Sequence, residues 1–412
     1  MQSNPPSSNR VLIPLGLGVA LSLFGDLALY TALAAQLDSL HITLFQAGIL
    51  LSIHRVLRIP GNPAAGMLVD RFGRRPLFLI GLVLAVISSA GYGLVSGFWP
   101  FLIFRLAWGS AWALINVGGM NMILDISDHT TRGRLVGAYN IWTWAGYAVG
   151  PLAGGLLVDY LGFQQAMLVC AAFAALGLLI AFFSLPETRM PTNRSAELRG
   201  SWKDVRTAMT ANHAIPSSLL LFAITQFAGD GVVLGTLTLL LQTRFPGTIT
   251  LGPLSLGIAT FSGALLTVRS VLAGLSGPIA GRFSDQYATR LPLIAAGLAA
   301  GIFSFMLLAW GPGLASVIAG VLIGAASSGT TLTALAAYLG DQTPPGLRGL
   351  VLGAYATAGD VGSASGPFLS FTLLPVIGLP VVYLFSAVIF LAGLGIVRAR
   401  WVEQPGRALP LG

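Results

Sequence analysis

Twelve apolar stretches, each about twenty residues or longer, follow one another along this chain and constrain its fold more than any other feature. An α-helix needs about twenty apolar residues to cross a bilayer. Lipid offers the backbone no hydrogen bonds, and a membrane strand would alternate in polarity at every second residue, which these stretches do not do. The sequence therefore predicts an all-α integral membrane protein with twelve transmembrane helices. The predicted spans are 11–36, 43–69, 76–96, 99–125, 133–158, 164–186, 215–242, 254–281, 290–310, 314–340, 349–374 and 379–400.

The charges are few and lie mostly on one side of the predicted membrane. Only 9% of the 412 residues are charged, against about 25% in soluble domains. If the N-terminus is cytoplasmic, 17 of the 22 arginines and lysines fall on the cytoplasmic side, Arg244 falls on the opposite side, and four lie within spans. This distribution follows the positive-inside rule, so the net charge of +8 indicates topology rather than a nucleic-acid partner. We expect a multi-pass protein of the plasma (inner) membrane with both termini cytoplasmic.

The two halves of the chain repeat one another. The segment GAYNIWTWAGYAVGP at 137–151 matches GAYATAGDVGSASGP at 353–367, an offset of 216 residues (367 − 151) that also places Asp125 on Asp341. A second match, GMLVDRF with GPIAGRF, has an offset of 211 residues (277 − 66) and places Arg58 on Arg269. Such repeats are the sequence sign of a structure built twice.

The repeat divides the chain into two pseudo-symmetric six-helix bundles. The longest polar stretch, 187–214, follows the sixth span and is predicted to be a cytoplasmic linker. The N-terminal bundle is then 1–186, and the C-terminal bundle is 215–412.

Two motifs resemble signatures of a known transporter family. The segment GMLVDRFGRR resembles the loop 2–3 signature of the major facilitator superfamily, and GYAVGPLAGG resembles the fifth-span signature of its twelve-helix drug:proton antiporters. RLAWG at 105–109 is a partial match to the fourth-span signature. The residues that carry the first two are Gly66, Asp70, Arg71, Gly73, Arg74 and Arg75, and then Gly146, Gly150, Pro151, Gly154 and Gly155.

The resemblance implies a fold and a working cycle. In that superfamily the first signature latches the two halves on the cytoplasmic side when the transporter faces outward, and the fifth-span signature accompanies exchange by antiport. At the residues themselves, Gly66 permits close approach of a helix, Gly73 permits a sharp turn, and Asp70 suits the positive end of a neighbouring helix. The second half has Gly281 in place of Asp70, so the first half supplies the stronger latch. Members are usually monomers.

Charges inside the spans identify candidate functional residues, because a charged side chain at mid-bilayer costs several kcal/mol and normally faces a partner or a water-filled cavity. Asp26, Asp230 and Asp360 are the candidates for proton coupling. Asp26 with Arg58 repeats as Asp230 with Arg269, so we expect Asp26 to approach Arg58 or Arg55. Asp360 aligns with a tryptophan in the first half and has no acidic counterpart.

Further polar and aromatic residues in the spans are candidates for lining a substrate cavity. One set shares a face of the second span, and another forms a stripe along the fourth. The candidates are Arg55, Arg58, Asn62, Arg105, Trp108, Trp112, Asn116, Gln226 and Arg269.

These features together predict a transporter rather than an enzyme. The sequence contains no metal-ligand cluster, nucleotide-binding loop or catalytic triad, so we expect no cofactor and an ion gradient as the energy source. His54 adjoins the arginine face, where it either relays protons or packs as a hydrogen-bonding residue. We expect the partners to be a small-molecule substrate, protons and membrane lipid, with no nucleic acid.

The leading hypothesis is a secondary active transporter that exports small amphipathic compounds by proton coupling. Because arginines within the spans outnumber aspartates four to three, a proton-linked importer of an organic anion is the alternative, and a lipid flippase is a third. A transport-inactive sensor or an intramembrane enzyme would belong to a different class.

Overall fold

A computed structural model describes residues 8–128, 131–188, 202–284 and 289–403. Residues 189–201 of the predicted linker lie outside the described residues, and so do Arg189, Arg194, Arg199 and Arg407 from the charge count.

Six long helices form the first half and coincide with the first six predicted spans. A 3₁₀ turn, Leu33–Ala35, extends the first of them, and Thr43 caps the second by accepting a hydrogen bond from the Gln46 backbone. The helices are α1 Ser8–Ala32, α2 Leu44–Phe72, α3 Arg74–Leu94, α4 Phe98–Asp125, α5 Arg132–Leu161 and α6 Phe163–Ser184.

The second half is less regular. A π-helical segment, Phe227–Val233, joins α8 to α9 and completes the seventh span. The eighth span was predicted to begin at residue 254, but this boundary is wrong. Residues 254–257 form a strand of an antiparallel hairpin that turns at Gly252, where φ is +62°. The elements are α7 Trp202–Ala211, α8 Ala214–Gln226, α9 Leu234–Arg244, β1 Thr248–Leu251, β2 Leu254–Gly257, α10 Ile258–Ser284, α11 Leu291–Trp310, α12 Gly313–Gln342, a 3₁₀ turn Pro345–Leu347 and α13 Arg348–Val402.

Ten of the described helical segments are long and apolar enough to cross a membrane. Two differences explain why ten such segments are found although twelve spans were predicted. The α13 helix holds two spans, separated at Gly378, where φ is +75°. The α2 helix falls short in hydropathy because Arg55, Arg58 and Asn62 lie within it, together with two prolines. The low hydropathy of α2 therefore reflects the polar residues and prolines within this predicted span.

The chain divides by its contacts into two compact units. One contains residues 1–192 with 235–267, and the other contains 193–234 with 268–412. The α9 helix, the hairpin and the first ten residues of α10 therefore pack with the N-terminal helices, although the repeat assigns them to the second half.

The fifth-span signature gives α5 two close contact faces. Its glycines meet α1 on one side, and Gly155 with Pro151 meets the start of α10 on the other. A side chain on any of these glycines would overlap its neighbour, and at all but Gly150, which meets the Leu27 side chain, the neighbour includes backbone atoms, so the helices approach closely there. The pairs are Gly146 with Ala20, Gly150 with Leu27, Gly154 with Ala28, Gly155 with Ala259, and Pro151 with Gly263.

A carboxylate from α5 caps the beginning of α10. The Asp159 Oδ2 atom accepts a hydrogen bond from the Thr260 backbone N–H at 2.7 Å. A side chain at Gly257 would overlap this carboxylate and displace it, so glycine there leaves room for the cap. The first N–H groups of a helix have no partner within it and carry partial positive charge. Asp159 therefore satisfies one of them and joins α10 to α5.

We expect Asp159→Ala to lower the free energy of unfolding by about 1 kcal/mol, the usual cost of losing a helix cap. Asp159→Asn retains an oxygen acceptor and is the matched control. Thermal unfolding of the detergent-purified protein measures both, and equal melting temperatures for Asp159→Ala and the wild type would contradict the assignment.

Candidate functional site

A buried ion pair joins α1 to α4 in the first unit. The Asp26 Oδ1 atom lies 2.5 Å from the Arg105 Nη1 atom. The Arg105 side chain is fully buried, and the Asp26 side chain is 10% exposed. Since an unpaired charge at this depth is costly, the ion pair is what makes burial of both side chains compatible with stability.

Two contacts from α2 complete the surroundings of Arg105. Its Nε atom donates a hydrogen bond to the Leu50 carbonyl at 2.8 Å, and its Nη2 atom lies 2.5 Å from the His54 Nδ1 atom. The guanidinium also lies 5.8 Å from the centre of the Tyr30 ring. Arg105 is thus held by three helices, α1, α2 and α4, with its donors directed at defined acceptors.

The predicted partner of Asp26 was wrong. We expected Arg55 or Arg58 of α2, but the carboxylate pairs with Arg105 of α4. Arg55 instead donates from its Nε atom to the Tyr30 hydroxyl at 3.3 Å, and the Arg58 guanidinium lies 6.0 Å from the Trp112 ring centre. The polar stripe of the fourth span contained Arg105, but spacing along one helix does not indicate which neighbouring helix an arginine reaches.

The corresponding prediction for the second half is confirmed. The Arg269 Nη2 atom of α10 lies 3.1 Å from the Asp230 Oδ1 atom. The Asp230 side chain is 35% exposed and lies in the π-helical segment. At the 216-residue offset, Val321 takes the place of Arg105 (321 − 105), so α12 supplies no competing cation at that position. The two halves therefore place their buried ion pairs on different helices.

A small cavity lies within the second unit, beside Arg269. Its unfilled space, including its opening, is about 290 Å³. Arg269 and three serines, Ser304, Ser327 and Ser328, contribute polar atoms to its wall, and Val321 lies on it too. Ser304 and Ser327 direct their hydroxyl protons to backbone carbonyls. The cavity therefore offers hydroxyl oxygens as acceptors close to the Asp230 ion pair.

The remaining candidates are distributed over several environments. Trp108 and Trp112 belong to the buried apolar core of the first unit, so they support packing. Asn62 and Asn116 are half-buried, and the Asn62 Oδ1 atom has no hydrogen-bond partner among the described residues. In the second unit, Gln226 ends α8 and is half-buried, while Asp360 is buried in α13.

The signature of the second span forms a local network around Arg74. Its Nη1 atom lies 3.1 Å from Asp70, and its Nε atom lies 3.0 Å from Asp125 at the end of α4. Asp70 is 72% exposed, whereas Asp125 is only 6% exposed. Arg74 therefore bridges a solvated carboxylate and a buried one.

The glycines of this signature differ in role. Gly73 has a φ of +102° and makes the predicted sharp turn between α2 and α3. Among the described residues, no heavy atom lies within 4 Å of where a Gly66 Cβ would be, so the close helix approach expected there is not seen.

Sequence reasoning missed Glu187, which follows α6. Its carboxylate accepts hydrogen bonds from the Arg74 and Arg75 backbone N–H groups at 3.2 and 3.0 Å. Gly73 has no side chain to cap α3, so Glu187 takes over that function from a distant part of the chain. An acidic residue directly after a span, within the sequence LPETR, is the signal that was available.

The second half repeats the bridging arginine. The Arg290 Nε atom lies 2.7 Å from Asp341, and both residues lie 216 positions after Arg74 and Asp125 (290 − 74 and 341 − 125). The pairs at the helix ends are therefore equivalent in the two halves, unlike the buried pairs at mid-span.

A family model described as Major Facilitator Superfamily matches residues 15–266 and 255–412. The chain belongs to the Major Facilitator Superfamily. It is accordingly a multi-pass membrane transporter and not an enzyme.

Relatives by sequence and by structure agree with this membership. The tetracycline resistance protein, class C, of Escherichia coli is 29% identical over 323 residues, covering 78% of each chain. The multidrug resistance protein MdtG of Dickeya zeae (strain Ech586) is 27% identical over 343 residues, covering 83% of this chain and 81% of the relative. A bacterial homolog of the human lysosomal transporter Spinster, solved inward-facing and unoccupied, has a TM-score of 0.76 at 16% identity and 96% coverage of both chains.

The two carboxylates that share Arg74 provide a matched test of burial. We expect Asp125→Asn to lower the free energy of unfolding by about 3 kcal/mol, because it removes the buried carboxylate of Arg74 and leaves only the solvated Asp70 beside it. Asp70→Asn removes an exposed pair and should cost less than about 1 kcal/mol. Thermal unfolding in detergent ranks the two variants, and a larger loss for Asp70→Asn would show that Asp125 is not the structural partner.

Proposed function

We propose that this transporter exports small amphipathic compounds in exchange for protons by alternating access. The observation that carries the proposal is the buried Asp26–Arg105 pair. A carboxylate in such a site is ionised while the arginine lies beside it, and it gains a proton more readily when the arginine moves away or the site loses water. Movement of the helices that carry these groups would thus be linked to proton uptake and release.

Asp230 is the second proton-coupling candidate. It keeps its arginine at 3.1 Å but is more exposed than Asp26, so water reaches it more easily. Asp360 is the third candidate, since it is buried in α13. We propose that at least one of the three carries the coupled proton.

Export is favoured by the names of the relatives, which describe resistance to tetracycline and to multiple drugs. The alternative of organic-anion import depended on the surplus of arginines within the spans. Arg105 and Arg269 are bonded to aspartates, which weakens that argument because two of the four cations already have carboxylate partners. A flippase would move lipid rather than soluble probes and is distinguished in the assay below.

We propose a supporting role for the two signatures. The bundles 1–186 and 215–412 are the bodies that rock, with both termini in the cytoplasm and the protein acting as a monomer in the inner membrane. Asp70, exposed at the end of α2, is available to latch the cytoplasmic side, and the glycine faces of α5 support antiport by keeping α1 and α10 in close contact.

Proton coupling is tested in inverted membrane vesicles with a pH-sensitive dye, using tetracycline and ethidium as probes. Adding a probe to energised vesicles with wild-type protein should release part of the proton gradient. Replacing the proton carrier among Asp26, Asp230 and Asp360 with Asn should abolish this release and probe accumulation, while probe binding persists. Asp38→Asn, at an exposed aspartate of the α1–α2 loop, is the matched control and should behave as wild type.

Three outcomes would overturn parts of this proposal. Full gradient-driven transport in all three Asn variants would exclude these aspartates as proton carriers. Probe movement out of the inverted vesicles would indicate import. Lipid translocation without movement of either probe would indicate a flippase.

A further inference from the structure

Arg105 makes hydrogen bonds to α2 in addition to its ion pair with Asp26 of α1. A guanidinium has five N–H donors, has no acceptor, and does not lose its proton in proteins. Arg105 directs its Nη1 atom at Asp26 of α1, but its Nε and Nη2 atoms both point to α2, at Leu50 and His54. More of its hydrogen bonds therefore go to α2 than to its ionic partner.

The contact with His54 defines the state of the imidazole. Because Arg105 can only donate, the His54 Nδ1 atom, 2.5 Å away, must accept and therefore carries a lone pair. The proton of the neutral ring is then on Nε2, which lies 3.4 Å from the same Nη2 atom. A protonated imidazole would present N–H groups at both nitrogens and could not make this bond. In this arrangement His54 is a neutral acceptor.

The charged and titratable groups that face His54 or its partner Arg105 come from four helices. Asp26 and Tyr30 belong to α1, Arg55 and Arg58 to α2, Tyr92 to α3 and Arg105 to α4. The only carboxylate among them is already bonded to Arg105.

We propose that His54 is a positioning residue that keeps Arg105 bound to α2 throughout the proton cycle, including the part in which Asp26 is separated from it. When Asp26 takes up a proton, its attraction for Arg105 weakens, and the remaining hydrogen bonds to Leu50 and His54 hold the guanidinium on α2. Asp26 then finds Arg105 in place when it releases the proton. His54 acts through its acceptor nitrogen and does not itself carry the transported proton. The inference rests on the proposed proton coupling.

The test uses variants of His54 to distinguish its role as a hydrogen-bond acceptor from a role that depends on protonation of its ring. In His54→Asn, the Oδ1 atom can replace the Nδ1 atom as acceptor but does not titrate. In His54→Leu, similar volume is kept and the acceptor is lost. His41→Asn makes the same chemical change at an exposed histidine of the α1–α2 loop, where φ is +54° and asparagine is tolerated. The pH profile of probe-driven proton release is measured for each variant, normalised to the amount of protein in the membrane.

We expect the profile of His54→Asn to stay within about 0.3 pH unit of wild type, and that of His54→Leu to move by about one unit, a tenfold change in proton concentration. An unchanged profile in His54→Leu would overturn the proposal. Equal shifts in both variants would also overturn it, because the titrating ring would then matter rather than the acceptor. If His54→Leu does not accumulate in the membrane, His54→Met supplies an apolar and more flexible replacement.

A second readout needs no substrate and separates failure of this inference from failure of the proposed function. The carboxylic-acid infrared band of Asp26, identified by its absence in Asp26→Asn, is followed against pH in the purified protein. If wild-type vesicles move no protons with either probe, proton-coupled export of the probes is excluded. The midpoint of this band then decides whether His54 positions Arg105, with His54→Leu expected to shift it and His54→Asn expected to preserve it.

Discussion

The cost of keeping charge inside a low-dielectric membrane is the constraint on which the first unit depends. Arg105 is fully buried, and its position is compatible with stability only because Asp26 neutralises it and the acceptors of α2 use its other donors. This requirement joins α1, α2 and α4 at one point. The same requirement gives the site its proposed function, since the balance of three acceptors around one cation changes whenever Asp26 gains or loses a proton.

The repeat is preserved at the helix ends and broken within the spans. Arg74 with Asp125 and Arg290 with Asp341 occupy equivalent places, although the Asp125 side chain is 6% exposed and the Asp341 side chain 54%. At mid-span, the first half has Arg105, and the second half has an uncharged residue at that offset.

The position of α10 shows how one span serves both halves. Its first residues pack with the N-terminal helices through the α5 glycines and the Asp159 cap, while Arg269, further along the same helix, belongs to the second unit and holds Asp230. The Asp159 hydrogen bond and the close packing against the α5 glycines both hold the start of α10 against α5. The arginine that pairs with Asp230 therefore lies on a helix whose beginning contacts α5.

The sequence by itself determined the helical class, the spans within a few residues, the repeat and the pairing of Asp230 with Arg269. Each follows from hydrophobic length, charge position or internal similarity, which are properties of the chain read in order. Only the tertiary structure decided that Asp26 pairs with Arg105, that His54 accepts from that arginine, and that Glu187 caps α3. These contacts join residues 51 to 113 positions apart in the chain, on different helices or on a helix and a connecting segment. The rotation of each helix about its axis and the reach of each side chain decide which partners meet, and a one-dimensional pattern does not contain either quantity.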